Sequence, residues 1–156
     1  MSVVDAGVFG VHLLFAGLWS GSVLFTTYAV LPLAMDGEAR PAPLDVLTGK
    51  LRTVSRVSAV LLLLTGGHLA GTRYTAESLT STGRGYLVLA MVALWFLLAA
   101  LVEVGGSKLE AGFDAQKVRE PAREARPFLL GASLTAILLL LDAGAILVGT
   151  TNMDEF

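Results

Sequence analysis

The segment Gly85-Tyr-Leu-Val-Leu-Ala-Met-Val-Ala-Leu-Trp-Phe-Leu-Leu-Ala-Ala-Leu-Val102 runs without a charge between Arg84 and Glu103. An apolar run of about this length is what a helix needs to cross the hydrocarbon core of a bilayer. Its leucine and alanine content, with no period-two alternation, predicts a helix rather than a barrel strand. Hydrocarbon offers the backbone no hydrogen-bond partners, which again leaves the helix.

Three further segments read the same way. The stretch from Ala6 to Ala34 contains the ionisable His12, the stretch between Arg56 and Arg73 contains His68, and the stretch between Arg126 and Asp154 is interrupted by Asp142. The predicted spans are about 6–34, 55–73, 85–104 and 127–150, in one all-α domain covering residues 1–156. The second span is short, so Arg56 and Arg73 must snorkel toward the head groups. Bulk composition agrees. Of the 156 residues 54% are hydrophobic and 15% charged, against about 25% charged in a soluble domain. Mean hydropathy is +0.72. These values exclude a soluble enzyme and a disordered chain. The net charge of −2 leaves no basic footprint for nucleic acid. The absence of cysteine excludes disulfides, iron–sulfur clusters and thiolate sites.

The cations orient the bundle. Arg40, Lys50, Arg52 and Arg56 follow the first span, and Lys108, Lys117, Arg119, Arg123 and Arg126 follow the third, leaving Arg73 and Arg84 between the second and third. The positive-inside rule puts the two richer loops in the cytoplasm and both termini outside, in a multi-pass protein of the cytoplasmic membrane. The amino end carries Asp5 and no basic residue before a long apolar run, so it reads as a retained span rather than a signal peptide. Pro41 and Pro43 predict an irregular start to the first cytoplasmic loop, with helix from Leu44 to Arg56. The second, from Gly105 to Pro127, reads either as a solvated connector or as a short interfacial helix ending near Pro121.

The polar groups inside the spans are the candidate site. At 1.5 Å per residue, His12 lies roughly 10 Å from the outer end, His68 roughly 8 Å and Asp142 roughly 12 Å. Ionisable groups at such depth are costly and mark function. Three at one level, on three helices, predict convergence. His12, Ala16 and Ser20 form one row on the first span. Gly131, Thr135, Leu138, Asp142, Ala145 and Gly149 form a stripe on the fourth that is expected to face the interior. Gly17 with Gly21, and Gly67 with Gly71, are small-residue pairs that permit close helix approach or leave room for a flat cofactor. Trp19 and Trp95 fall near mid-span and read as packing residues or flanks of a cofactor. Neutral imidazole suits copper, zinc and haem iron. His12 and His68 can ligate haem axially or hold Cu(I), with Asp142 as a third metal ligand or as the group orienting an imidazole. The bland reading is three interhelical hydrogen bonds. No nucleophile–base motif is present, so no catalytic residue is assigned and handling is favoured over catalysis.

The stretch His12-Leu-Leu-Phe-Ala-Gly-Leu-Trp19-Ser-Gly21-Ser-Val-Leu-Phe25 resembles the opening helix of CopD-type copper-resistance membrane proteins. The likeness continues through Ser55-Arg56, Leu61 to Gly66, Leu79 to Thr82 and Gly83-Arg-Gly-Tyr-Leu87, covering roughly residues 10–102. It implies copper import, delivery or resistance, with an extracytoplasmic copper carrier as partner. CopD-like chains carry a lysine early in the third helix. Here that region reads Leu87-Val-Leu-Ala-Met91, so no role of that lysine is carried over. The His-to-Trp spacing is also similar to that of HemJ-type four-helix proteins, which bind haem b and oxidise protoporphyrinogen. The basic residues those proteins hold within their helices are absent here. Three functions therefore stand: a CopD-like copper-handling protein, a haem-b membrane oxidoreductase, and a non-catalytic scaffold or subunit. With only four helices to build a pathway, a homodimer is a further expectation.

Overall fold

Helix α1 (Val3–Phe25) starts on a capping box. The Ser2 hydroxyl accepts from the Asp5 amide, and the Asp5 carboxylate accepts from the Ser2 amide. A computed structural model describes residues 2–151. After α1 the chain widens into one π-helical turn, Thr26–Val30, and continues as α2 (Leu31–Asp36). Pro32 lacks the N–H that would bond the Tyr28 carbonyl in a continuous helix. The Thr27 hydroxyl ties the widened turn in place through the Val23 carbonyl at 2.8 Å and the Leu129 carbonyl at 3.2 Å. Then come α3 (Pro41–Arg73), a short α4 (Ala76–Ser81), α5 (Gly83–Asp114) and α6 (Arg119–Thr151). Among the described residues there is no strand. The protein is an all-α four-helix bundle, and its four long helices are long and apolar enough to make it a multi-pass membrane protein.

Two loop expectations are corrected. No irregular stretch follows Pro41, because a proline in the first turn gives up an N–H that has no helical partner anyway, and α3 runs unbroken from that residue. The segment from Gly105 to Pro127 is neither connector nor separate interfacial helix. α5 continues to Asp114, the chain turns at 115–118, and α6 begins at Arg119. The two helices thus run on past the uncharged spans as an antiparallel hairpin that buries Leu109, Phe113, Ala122 and Ala125. Their charges support this through ion pairs such as Lys108 with Glu124 at 3.6 Å and Lys117 with Glu120 at 2.9 Å.

The interior face of α6 only partly follows the expected stripe. The fully buried apolar positions are Ala122, Ala125, Leu129, Ala132 and Ala136, at helical spacing, in one core with Leu98, Val102, Leu109 and Phe113 of α5, and Ser133 is fully buried beside them. Alanines here let the two backbones close up. Of the expected stripe, Thr135 is buried, Gly131 and Asp142 are half-buried, and Leu138 and Ala145 are turned outward, while Gly149 lies outside the residues whose burial is described. The glycine pairs Gly17/Gly21 and Gly67/Gly71 sit where an added Cβ would meet nothing, so they do not mediate close helix contacts. Large apolar side chains such as Leu14, Leu64, Phe96 and Leu141 ring the outside, as a lipid-facing surface requires.

The turns at 37–40 and 115–118 share one end of the bundle with nine of its cations, while Asp5 and the 74–82 segment share the other. At the basic end Arg52 of α3 bridges Glu103 and Glu110 of α5, and Arg56 binds Glu103 at 2.6 Å. Gly106 makes this possible, since a Cβ there would fall 2.8 Å from the Arg52 stem. The absence of cysteine makes orientation directly testable. In intact cells Ser81→Cys should react with a membrane-impermeant maleimide, and Gln116→Cys should react only after permeabilisation. The reverse pattern would invert the bundle.

Candidate functional site

The register of α1 against α3 decides what the histidines do. His12 stands against Thr65, its Nδ1 lying 2.7 Å from the Thr65 hydroxyl. That hydroxyl also lies 2.6 Å from the Leu61 carbonyl. A carbonyl only accepts, so the single hydroxyl proton goes to Leu61 and the Thr65 oxygen must accept from His12 Nδ1–H. The tautomer follows: Nε2 carries the lone pair, and it has no hydrogen-bond partner among the described residues. Gly66 makes room for the ring, since a Cβ there would come 3.1 Å from His12 Cε1. An imidazole whose Nδ1–H is fixed by an oxygen acceptor and whose Nε2 is bare is prepared to bind a metal.

His12 faces a cavity of about 230 Å³ enclosed by all four long helices, with Trp19, Gly66, Met91, Trp95 and Leu139 among its walls. Ala16 and Ser20 line it too, so the whole row predicted on the first span faces this space. A second cavity of about 570 Å³ shares His12, Gly66 and Met91 and extends to Arg73, Tyr74 and Arg84. Small-molecule sites occupy about 300–1,000 Å³. The walls are almost wholly apolar, and Leu13, Leu63 and Val92 are also exposed on the outside of the bundle, so the space is reached from the lipid side. The Trp95 indole N–H donates to the Ala59 carbonyl at 3.2 Å, which fixes that wall.

The other two predicted residues are placed differently. His68 Nε2 lies 3.3 Å from Asp5 Oδ1, seven residues and about 10 Å above His12 on α1. His68 lines neither cavity. Asp142 lies beside the wall formed by Leu139, Leu140 and Ala143 without joining it, and its Oδ2 is buried with no hydrogen-bond partner. All three groups occupy the half of the bundle nearer Asp5, but the structure does not bring them together. Among the described residues no three His, Cys, Asp or Glu side chains are grouped to hold a metal ion. Depth and the spacing of helical faces grouped them in the sequence, whereas contact also needs the register and rotation of each helix against its neighbours.

Sequence reasoning did not single out Thr65, Met91, Arg73 or Arg84 as parts of a site. Thr65 carries no signal of its own in an apolar span, and its role appears only once the Asp5–His68 contact sets the register of α1 against α3. Comparison with family models, curated proteins and solved structures finds no match for this chain.

Two predictions follow from the tautomer and the room at Gly66. Thr65→Val removes the acceptor on Nδ1 and should weaken ligand binding at His12 about 10–100-fold, as loss of an outer hydrogen-bond partner does at metal sites. Gly66→Val drives a side chain against the ring and should displace it, which would appear as a shifted His12 ring resonance. Binding unchanged in both variants would contradict the Nε2 assignment.

Proposed function

We propose that this chain is a binding protein of the cytoplasmic membrane for a metal-centred planar cofactor of the haem-b type, held by His12 Nε2 within the bilayer. The observation that carries this reading is an imidazole that lines an apolar cavity of ligand size, with Nδ1 engaged by Thr65 and Nε2 left without a hydrogen-bond partner among the described residues. Haem b held there would supply a one-electron redox centre. Thr65 keeps the proton on Nδ1. The apolar walls exclude water, and Trp95 closes the inner side. All four long helices contribute to the cavity's walls.

A second reading, copper handling of the CopD type, is favoured by one observation: Met91 shares both cavities with His12, and an imidazole with a thioether is a donor set suited to Cu(I). An extracytoplasmic carrier would then load the metal from the Asp5 end. In either reading His68 and Asp142 lie outside the ligand set. Titration of the purified protein with haemin, and separately with Cu(I), tests both. The haem reading expects a saturable Soret band, the copper reading a colourless protein that retains Cu(I) in competition with a chelator. A protein that binds neither is a scaffold.

A further inference from the structure

The side expected to lie outside the cell holds two of the eleven cations, Arg73 and Arg84, and both line the same cavity. Topology does not account for this, since the positive-inside rule depletes cations from that side without gathering the remainder. The fold gathers them. Arg73 is the last residue of α3 and Arg84 the second of α5, and the short α4 between them folds the connection back over one end of the bundle. Tyr74 joins them at the rim, while Val88, Leu140 and Leu147 continue the apolar wall inward. Both arginines also take part in contacts within the chain. Arg73 is eight residues beyond Thr65, about 12 Å along the helix axis from the level that holds His12.

We infer that this rim is an anion-binding site, and that the cavity therefore takes an anionic amphiphile whose carboxylate or phosphate rests on Arg73 and Arg84. Guanidinium groups present planar pairs of donors that match such oxyanions. The apolar body of the ligand then lies along Val88, Met91 and Leu140, reaching toward His12. Two guanidinium charges at the rim oppose the approach of a bare cation, so an ion reaching His12 by this route would travel inside an anionic carrier molecule. The inference rests on the cavity being a ligand site, and it does not require a metal at His12.

The test uses metal-free protoporphyrin IX and its dimethyl ester, which differ only in the two carboxylates. Binding to the full chain in phosphatidylcholine nanodiscs is read by quenching of Trp19 and Trp95, the two tryptophans of the chain. The wild type should bind the free acid at least about tenfold more tightly than the ester, the scale of a charge-assisted hydrogen bond. The Arg73→Gln/Arg84→Gln double variant should lose that preference while keeping its affinity for the ester. Equal binding of acid and ester by the wild type overturns the inference without any variant, and so does a preference that survives in the double variant. Adding phosphatidylglycerol separates the sources of the anion. Competition by this lipid supports a rim that takes lipid phosphate, and indifference to it alongside the acid preference supports a carboxylate ligand. Because the probe holds no iron, failure of coordination at His12 leaves this outcome unaffected. His12→Ala should retain the acid preference even where it loses haem.

Discussion

Replacing His12 by alanine is expected to lower haem affinity by at least about 100-fold, while His68→Ala leaves it within a few-fold of the wild type. The size of the first effect follows from removing the coordinating atom itself. Loss of an outer partner alone costs about 10–100-fold. The asymmetry follows from partners. His12 lines both cavities and has no hydrogen-bond partner on Nε2 among the described residues, whereas His68 is engaged with Asp5 near the end of the bundle and lines neither cavity. A bis-histidine site built from both rings predicts equal losses in the two variants. Equilibrium titration of each protein with haemin distinguishes the two outcomes. Circular dichroism should show that each variant keeps its helices, since the His12 contact is one of several between α1 and α3.

Arg52→Met should be the most destabilising change at the basic end, costing about 2–3 kcal/mol. Its side chain is only 16% exposed and serves two carboxylates at once. Breaking a fully buried pair costs about 3–5 kcal/mol, and the value is lower here because Glu103 and Glu110 reach solvent and Glu103 keeps Arg56. Arg56→Met should do little. That side chain is 63% exposed and binds one carboxylate that Arg52 also holds, and exposed pairs contribute little once solvent screens them. Thermal unfolding in one detergent measures both. Equal shifts in Tm would mean that the Arg52 bridge does not hold α3 to α5.

Much of the fold was legible because hydropathy reports on lipid contact directly. The uncharged run from Gly85 to Val102, the isolated His12, His68 and Asp142, and the clustering of nine cations set the spans and their alternation. What failed was governed by quantities that hydropathy does not carry. The charged residues from Lys108 to Arg126 look like a loop in composition, yet they belong to a helical hairpin, with Lys108 paired across it to Glu124, Lys117 paired to Glu120 beside its turn, and Leu109, Phe113, Ala122 and Ala125 buried inside it. Pro41 looks like a breaker, but the first turn of a helix tolerates it. On α6 both the glycine–threonine–aspartate stripe and the alanine stripe are small enough to face inward. Packing against Leu98 and Val102 selected the alanines and turned Asp142 aside.

The site was half legible for the same reason. The row His12, Ala16 and Ser20 does face the cavity. The convergence of three polar groups did not follow from their depth, because depth is one coordinate of three. The partner that gives His12 its chemistry, Thr65, is an ordinary side chain in an apolar span. It becomes informative only when α1 and α3 are placed in register.

The account rests on His12 Nε2 as the coordinating atom, and chemical rescue measures that most directly. His12→Gly is titrated with haemin in nanodiscs, with and without added imidazole, and the Soret band is followed. The account predicts no specific band in the variant alone and, on adding imidazole, recovery of the wild-type spectrum as free imidazole takes the place of the missing ring. A wild-type spectrum in His12→Gly without imidazole would contradict it.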